Sequence, residues 1–146
     1  MEQQQNTQPF VIERTYNTPI AKVWSAITDN EKMKQWYFQL DEFKPEVGFE
    51  FSFEGGTPEK TYLHLCKVTR VTPGKLIAYT WRYDGLPGNS EVTWELFDEG
   101  DKTRLKLTHT GLHTFTANDP NFARESFSKG WTHITSVGLQ NYLDKE

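Results

Sequence analysis

The sequence predicts an α+β domain in the order strand, two helices, a run of about five or six meandering strands, and a long terminal helix. Three observations carry this. Alternating apolar and polar residues, the period of a strand with one dry face, recur from Phe49 to His109 with turn residues between them. The helical period appears on either side of that block, from Ile20 to Ile27 and from Phe127 to Leu143. Sequential hairpins make an antiparallel sheet, so the helices must pack together on one of its faces.

Phe10 to Tyr16, rich in β-branched and aromatic residues, is the first strand. Asn17-Thr18-Pro19 ends it and starts a helix. Thr18 is expected as N-cap, with Pro19 at the first helical position, where its missing N–H is harmless. Ile20, Val23, Trp24 and Ile27 then share one face, and Asp29-Asn30 closes this helix and caps a second, Glu31 to Trp36. Phe49, Phe51 and Phe53 alternate with Glu50, Ser52 and Glu54, and Gly55-Gly56 with Pro58 marks a turn. Thr61 to Val71 is a long strand whose inner face stays unassigned, because both alternations carry apolar residues. Leu76 to Tyr83 sets Ile77, Tyr79, Trp81 and Tyr83 against Ala78, Thr80 and Arg82. Val92, Trp94 and Leu96 alternate with Thr93 and Glu95, and Leu105, Leu107 and His109 with Arg104, Lys106 and Thr108. Beyond the turn-rich stretch Gly111 to Pro120, the terminal helix shows a stripe of Phe127, Trp131, Ile134, Gly138, Leu139, Tyr142 and Leu143.

At 146 residues the chain suits one domain, expected over residues 9–146 behind a polar, Gln-rich, flexible start at 1–8. Its 5 Trp, 6 Tyr and 10 Phe point to a core built from rings. A net charge of −4 without a Lys/Arg block argues against binding nucleic acid. Cys66 is the sole cysteine, so no intrachain disulfide can form, which fits a reducing, cytoplasmic setting. No apolar run approaches the ~20 residues of a membrane span, and the polar start does not read as a signal peptide.

Several motifs recur in an order that resembles a known family. They are Pro19-x-x-x-Val23-Trp24-x-Ala26-Ile27-Thr28, Trp36, Gly48-x-x-Phe51, and Val71-x-Pro73-x-x-Leu76-x-x-Tyr79-Thr80-Trp81. Val92-Thr93-Trp94-Glu95-Leu96, Thr103-x-Leu105-x-Leu107-Thr108-His109 and Gly130-Trp131 complete the set. The ordered series resembles the activator of heat-shock protein 90 ATPase homologue-like (AHSA-type) family, within the START-like, SRPBCC (birch-pollen-allergen-like) superfamily. That resemblance implies the helix-grip fold, a curved antiparallel sheet of about six or seven strands around a long C-terminal helix, with an apolar cavity between them. It also implies a chaperone as a possible partner. The eukaryotic co-chaperone has a separate N-terminal chaperone-binding domain, for which this chain is expected to have no room. Gly138, in the apolar stripe where a larger side chain is expected, is read as enlarging or reshaping the cavity.

Within that frame the expected cavity lining is Phe51, Phe53, Tyr79, Trp81, Trp94, His109 and Trp131. Tyr79 brings a hydroxyl and the tryptophans bring indole donors. His109 shares a face with Leu105 and Leu107, and two readings stand beside each other: a core histidine satisfied by hydrogen bonds, or a polar anchor or acid/base group for a ligand. Metal and cofactor motifs are absent. His109 and His113 are four apart without a shared helix, Gly55-Gly56 is a hairpin and not a phosphate cradle, and Cys66 reads as a buried structural thiol. The functional expectation is a binding domain for a small hydrophobic or amphipathic molecule. The alternatives are a chaperone-interacting module and a cyclase- or hydrolase-like enzyme using the same cavity.

Overall fold

The structure, a computed structural model, describes residues 9–37, 42–56, 61–86, 88–115 and 124–145. The described elements are β1 (Phe10–Tyr16), α1 (Ile20–Thr28), α2 (Asn30–Trp36), β2 (Glu50–Gly56), β3 (Thr61–Thr72), β4 (Leu76–Tyr83), β5 (Ser90–Glu99) and β6 (Lys102–Thr110). A short 3₁₀ turn (Leu112–Thr114) follows β6. The terminal helix is α3 (Arg124–His133), a π-helical stretch (Ile134–Leu139) and α4 (Gln140–Asp144) in succession. The strands form one antiparallel, curved sheet in the order β1-β6-β5-β4-β3-β2. The α+β helix-grip class is therefore observed, with the terminal helix packed on the face that carries the rings.

Register decides which residues face the helices. Phe53 lies opposite His64 and Phe51 opposite Cys66, so β3 turns Tyr62, His64, Cys66 and Val68 inward. This assigns the face that alternation left open. Leu63, 38% exposed, belongs to the outer face, which is why both faces of β3 look apolar in sequence. The register of β3 on β4 slips by one between Val68 and Arg70. A bulge of this kind bends a strand and adds twist, and it helps curve the sheet around the helix.

At the start of α1 the structure corrects the expected cap. Pro19, with ψ of 153°, is itself the N-cap, the helix begins at Ile20, and no side chain caps it. Thr18 instead ties the helix start to the sheet, its carbonyl accepting a 2.7 Å hydrogen bond from the Thr103 hydroxyl on β6. Both threonines are buried, so the bond fixes where α1 leaves the sheet. Asp29 does cap α2, its carboxylate accepting from the Glu31 N–H at 2.9 Å. The elbow between the two helices is closed by the Trp36 indole, which donates to the Ala26 carbonyl at 2.9 Å.

Gly138 also has a different role from the expected one. A Cβ there would lie 2.9 Å from the Trp36 carbonyl oxygen, so backbone of α2 occupies the space. The glycine permits close approach of two helices and does not open a cavity. Gly111, with φ of 85°, leads out of β6 in the left-handed region, where a side chain would also meet the Asn89 carbonyl at 2.7 Å. Among the described residues, no helix is long and apolar enough to cross a membrane.

Candidate functional site

The sheet brings all seven expected lining residues to its inner face or against it, and the most open, Phe51, is 7% exposed. Phe51 and Phe53 stand on β2, Tyr79 and Trp81 on β4, Trp94 on β5, His109 on β6 and Trp131 on α3. They form one continuous cluster. Phe51 meets Tyr79 edge-on at 5.1 Å, and Phe53 meets Trp81 at 5.6 Å. Trp131 joins helix to sheet, with ring centroids 5.3 Å from Trp81, 5.8 Å from Trp94 and 5.8 Å from His109. Tilted and edge-on pairs such as these are the favoured arrangements of rings.

The polar tips inside this cluster pair with one another. The Trp131 indole donates to His109 Nδ1 at 3.0 Å, and His109 Nε2 lies 2.8 Å from Ser90 Oγ. Ser90 in turn donates to the Trp81 carbonyl at 2.7 Å. These contacts define the protonation state. Nδ1 accepts and must be bare, so Nε2 carries the proton and donates to a serine whose own hydrogen is used elsewhere. His109 is neutral with both ring nitrogens engaged, and burial lowers its pKa to about 3. A second chain runs from the Trp94 indole to the Tyr79 hydroxyl at 2.9 Å and on to the Tyr37 hydroxyl at 2.8 Å. Burial raises Tyr79 well above the ordinary phenol range, so it stays protonated. The Trp81 indole donates to the Tyr83 hydroxyl at 2.9 Å.

A family model described as activator of Hsp90 ATPase homolog 1-like protein matches residues 17–144. The chain belongs to that family. The activator-like match fits the geometry above, since its span takes in the sheet from β2 to β6 and the terminal helix, and the fold is the START-like one. Solved structures similar to this chain include protein CV1439 from Chromobacterium violaceum, at 21% identity and a TM-score of 0.77, covering 92% of this chain and 96% of that one. Protein MLL2253 from Mesorhizobium loti is 26% identical with a TM-score of 0.75, covering 94% and 98%. DynU16, described as a putative protein in the dynemicin biosynthetic locus, is 20% identical with a TM-score of 0.76, covering 93% of this chain and 47% of that one. No curated protein matches the chain.

Several residues of the cluster escape sequence reasoning. His64 stacks on Phe53 at 4.5 Å and meets Trp81 edge-on at 5.0 Å; its position follows only once the β2–β3 register is known. Burial lowers its pKa to about 4, opposed by hydrogen bonds to the Tyr62 and Phe53 carbonyls. Tyr37 lies just past α2, where no periodicity marks it. Ser90 did carry a signal, sharing parity with Val92 and Trp94. Cys66 faces inward at 5% exposure, and burial pushes its thiol far up, which makes it a poor nucleophile. His113 is exposed on the 3₁₀ turn while His109 is fully buried, so the two do not meet as a pair. Among the described residues no group of three His, Cys, Asp or Glu side chains could hold a metal.

Two open concavities lie elsewhere, the first of them reaching the cluster only at Phe51. One, of about 490 Å³, is a trough on the outer face of β2–β3–β4 among Glu50, Ser52, Leu65, Lys67, Thr80 and Arg82. The other, of about 440 Å³, sits at the end of the sheet near Ile20, Leu76 and Phe97. Both are solvent-facing and hold charged or exposed side chains. The rings of the inner face, by contrast, are desolvated, and their polar tips pair with one another.

Proposed function

We propose that the domain binds a small hydrophobic or amphipathic molecule between the inner face of the sheet and the terminal helix. Phe51, Phe53, Tyr79, Trp81, Trp94, His109 and Trp131 supply the contacts. The observation that supports this is the seam at Trp131: one helix side chain touches Trp81, Trp94 and His109 together. Displacing that helix opens a slot walled by flat rings with indole, hydroxyl and imidazole groups already inside it. A flat or chain-like apolar molecule fills such a slot, and a single polar group on it can take up the contact that Trp131 releases.

The test is a thermal-shift screen of delipidated protein against fatty acids, sterols, flavonoids and polyketide-like aromatics. A ligand at ~100 times its dissociation constant adds about 2.7 kcal/mol. For a domain of this size that is a rise on the order of 5–10 °C. A reproducible rise from one chemical class, accompanied by a change in tryptophan emission, supports the reading. A flat screen removes it and moves weight to the chaperone-interacting module that the family description favours. Co-purification with an Hsp90-type chaperone and stimulation of its ATPase test that module directly. Nothing in the site favours the cyclase- or hydrolase-like alternative: His109 has both nitrogens engaged and meets no carboxylate among the described residues.

A further inference from the structure

The inner face of β1 breaks the apolar rule once. Phe10, Ile12, Arg14 and Tyr16 share that face, and Arg14 lies opposite Leu105, one of the most buried residues of the core. Arg14 is only partly buried, but its Nε is shielded from solvent and has no hydrogen-bond partner. No carboxylate among the described residues pairs with it either. The ion pairs there are Lys34–Glu31, Lys44–Glu42 and those of Arg104 with Glu13 and Glu99, so even the neighbouring Glu13 is taken on the outer face. A guanidinium on a core-facing position with an idle donor calls for an explanation.

A second idle group lies on the helix that faces it. Ser136, in the π-helical stretch, has a shielded Oγ with no partner. The two places are drawn together by Tyr16, whose hydroxyl donates to the Thr135 carbonyl at 2.8 Å. Burial raises the Tyr16 phenol and the Arg14 charge pulls it back, which puts the guanidinium within electrostatic reach of that same bond. The helix turns from α to π at this point, and single π turns are often retained where a helix serves a site.

We propose that Arg14 and Ser136 form an anion-binding subsite at the seam between β1 and the terminal helix, and that the ligand of the grip is an amphipathic carboxylic acid whose carboxylate sits there. This rests on the binding reading above and specifies its ligand class. The rings take the apolar body of the molecule. The guanidinium, a planar fork of donors, takes the two carboxylate oxygens, with Nε as one of the prongs, and the serine hydroxyl donates a further hydrogen bond. One guanidinium beside a neutral hydroxyl balances a monoanion, which selects a carboxylate over a doubly charged phosphate ester.

The experiment compares matched ligands on matched proteins. Dissociation constants are measured by tryptophan emission for a series of fatty and aromatic acids and for the methyl ester of each, with wild type, Arg14→Gln, Arg14→Lys and Ser136→Ala. Wild type is expected to bind at least one acid about tenfold or more tightly than its ester. Arg14→Gln is expected to abolish that preference while leaving the ester's affinity unchanged. Arg14→Lys should keep part of it, and Ser136→Ala should weaken the acid alone. The ester serves as the internal control for folding within each variant. Equal binding of acid and ester by wild type, or equal loss of both in Arg14→Gln, overturns the subsite and leaves ligand binding standing. Failure of every acid and every ester to bind overturns the subsite and the binding reading together.

Discussion

Lowering the pH from 7 to 5 is expected to remove about 4 kcal/mol of stability through His109 and His64. Burial lowers His109 to about 3; burial also lowers His64, to about 4, against the pull of two carbonyl hydrogen bonds. In the unfolded chain both titrate near 6.5. Above that value neither state binds the proton and these residues give no pH dependence. Below it the unfolded chain takes up a proton that the fold refuses, so stability falls by about 1.4 kcal/mol per pH unit for each histidine. The fall levels off only near the folded values, about 4 for one and about 3 for the other. At pH 5 each residue has therefore removed about 2 kcal/mol, from a total that for such domains is ~5–15 kcal/mol. Urea denaturation followed by tryptophan emission at several pH values measures it. His109→Gln keeps a donor toward Ser90 but cannot titrate, so its own loss over the same interval should be about 2 kcal/mol, whatever its stability at neutral pH. An equal slope in wild type and variant would refute the reasoning. It would mean that His109 accepts a proton within the fold, where a protonated Nδ1 would have to face the Trp131 N–H, donor against donor.

Two glycines of the terminal helix should respond in opposite directions to alanine. Gly138→Ala places a methyl 2.9 Å from the Trp36 carbonyl and should lower stability by about 1–3 kcal/mol, whereas Gly130, with nothing within 4 Å, should gain up to about 1 kcal/mol, both read from melting curves. Thr103→Val removes the hydroxyl that holds the Thr18 carbonyl and leaves that acceptor buried, a loss of about 1–3 kcal/mol in urea denaturation. Cys66, buried and with its thiol pKa raised, should react with an aromatic disulfide reagent only as fast as the domain opens; prompt labelling of native protein would contradict its placement.

Legibility in the sequence follows the polarity of the outer face. Strands β4, β5 and β6 could be oriented because Thr80, Arg82, Thr93, Glu95, Arg104 and Lys106 mark the wet side. Strand β3 could not, because Leu63 and Leu65 lie outward and imitate a core face, and only pairing with β2 resolves it. The cap of α1 failed for a tertiary reason: the helix starts one residue later than expected, with Pro19 as N-cap, and Thr18 is tied to the sheet through its carbonyl by a residue 85 positions away. The π-helical stretch is equally hidden. A one-residue widening of the turn shifts the buried face onto Thr135 and Leu139, and an apolar stripe that already includes Ile134, Gly138 and Leu139 fits either winding. Of the candidate site, the sequence shows the rings by their alternation. It does not show the pairing of their tips, because hydrogen bonds between Trp131 and His109 or Trp94 and Tyr79 depend on rotamers and register together.

On the proposed binding reading, those pairings constrain what the grip could hold. A core of aliphatic side chains repacks around an intruder at the cost of packing strain alone, since no atom in it needs a particular partner. Here the indoles of Trp36, Trp81, Trp94 and Trp131 each donate to a specific acceptor, and moving any one of them away strands a buried donor and its acceptor. Each stranded pair costs about 1–3 kcal/mol per group unless the ligand replaces it. A purely apolar molecule cannot do so, and its binding would have to leave the tips paired and slide between ring faces. A molecule with one well-placed acceptor can take the Trp131 N–H, and one with a donor can satisfy His109 Nδ1, so on the proposed reading the network that fixes the fold would also rank ligands. On the proposed binding reading, selectivity is thus set by the hydrogen-bonded tips and affinity by the rings.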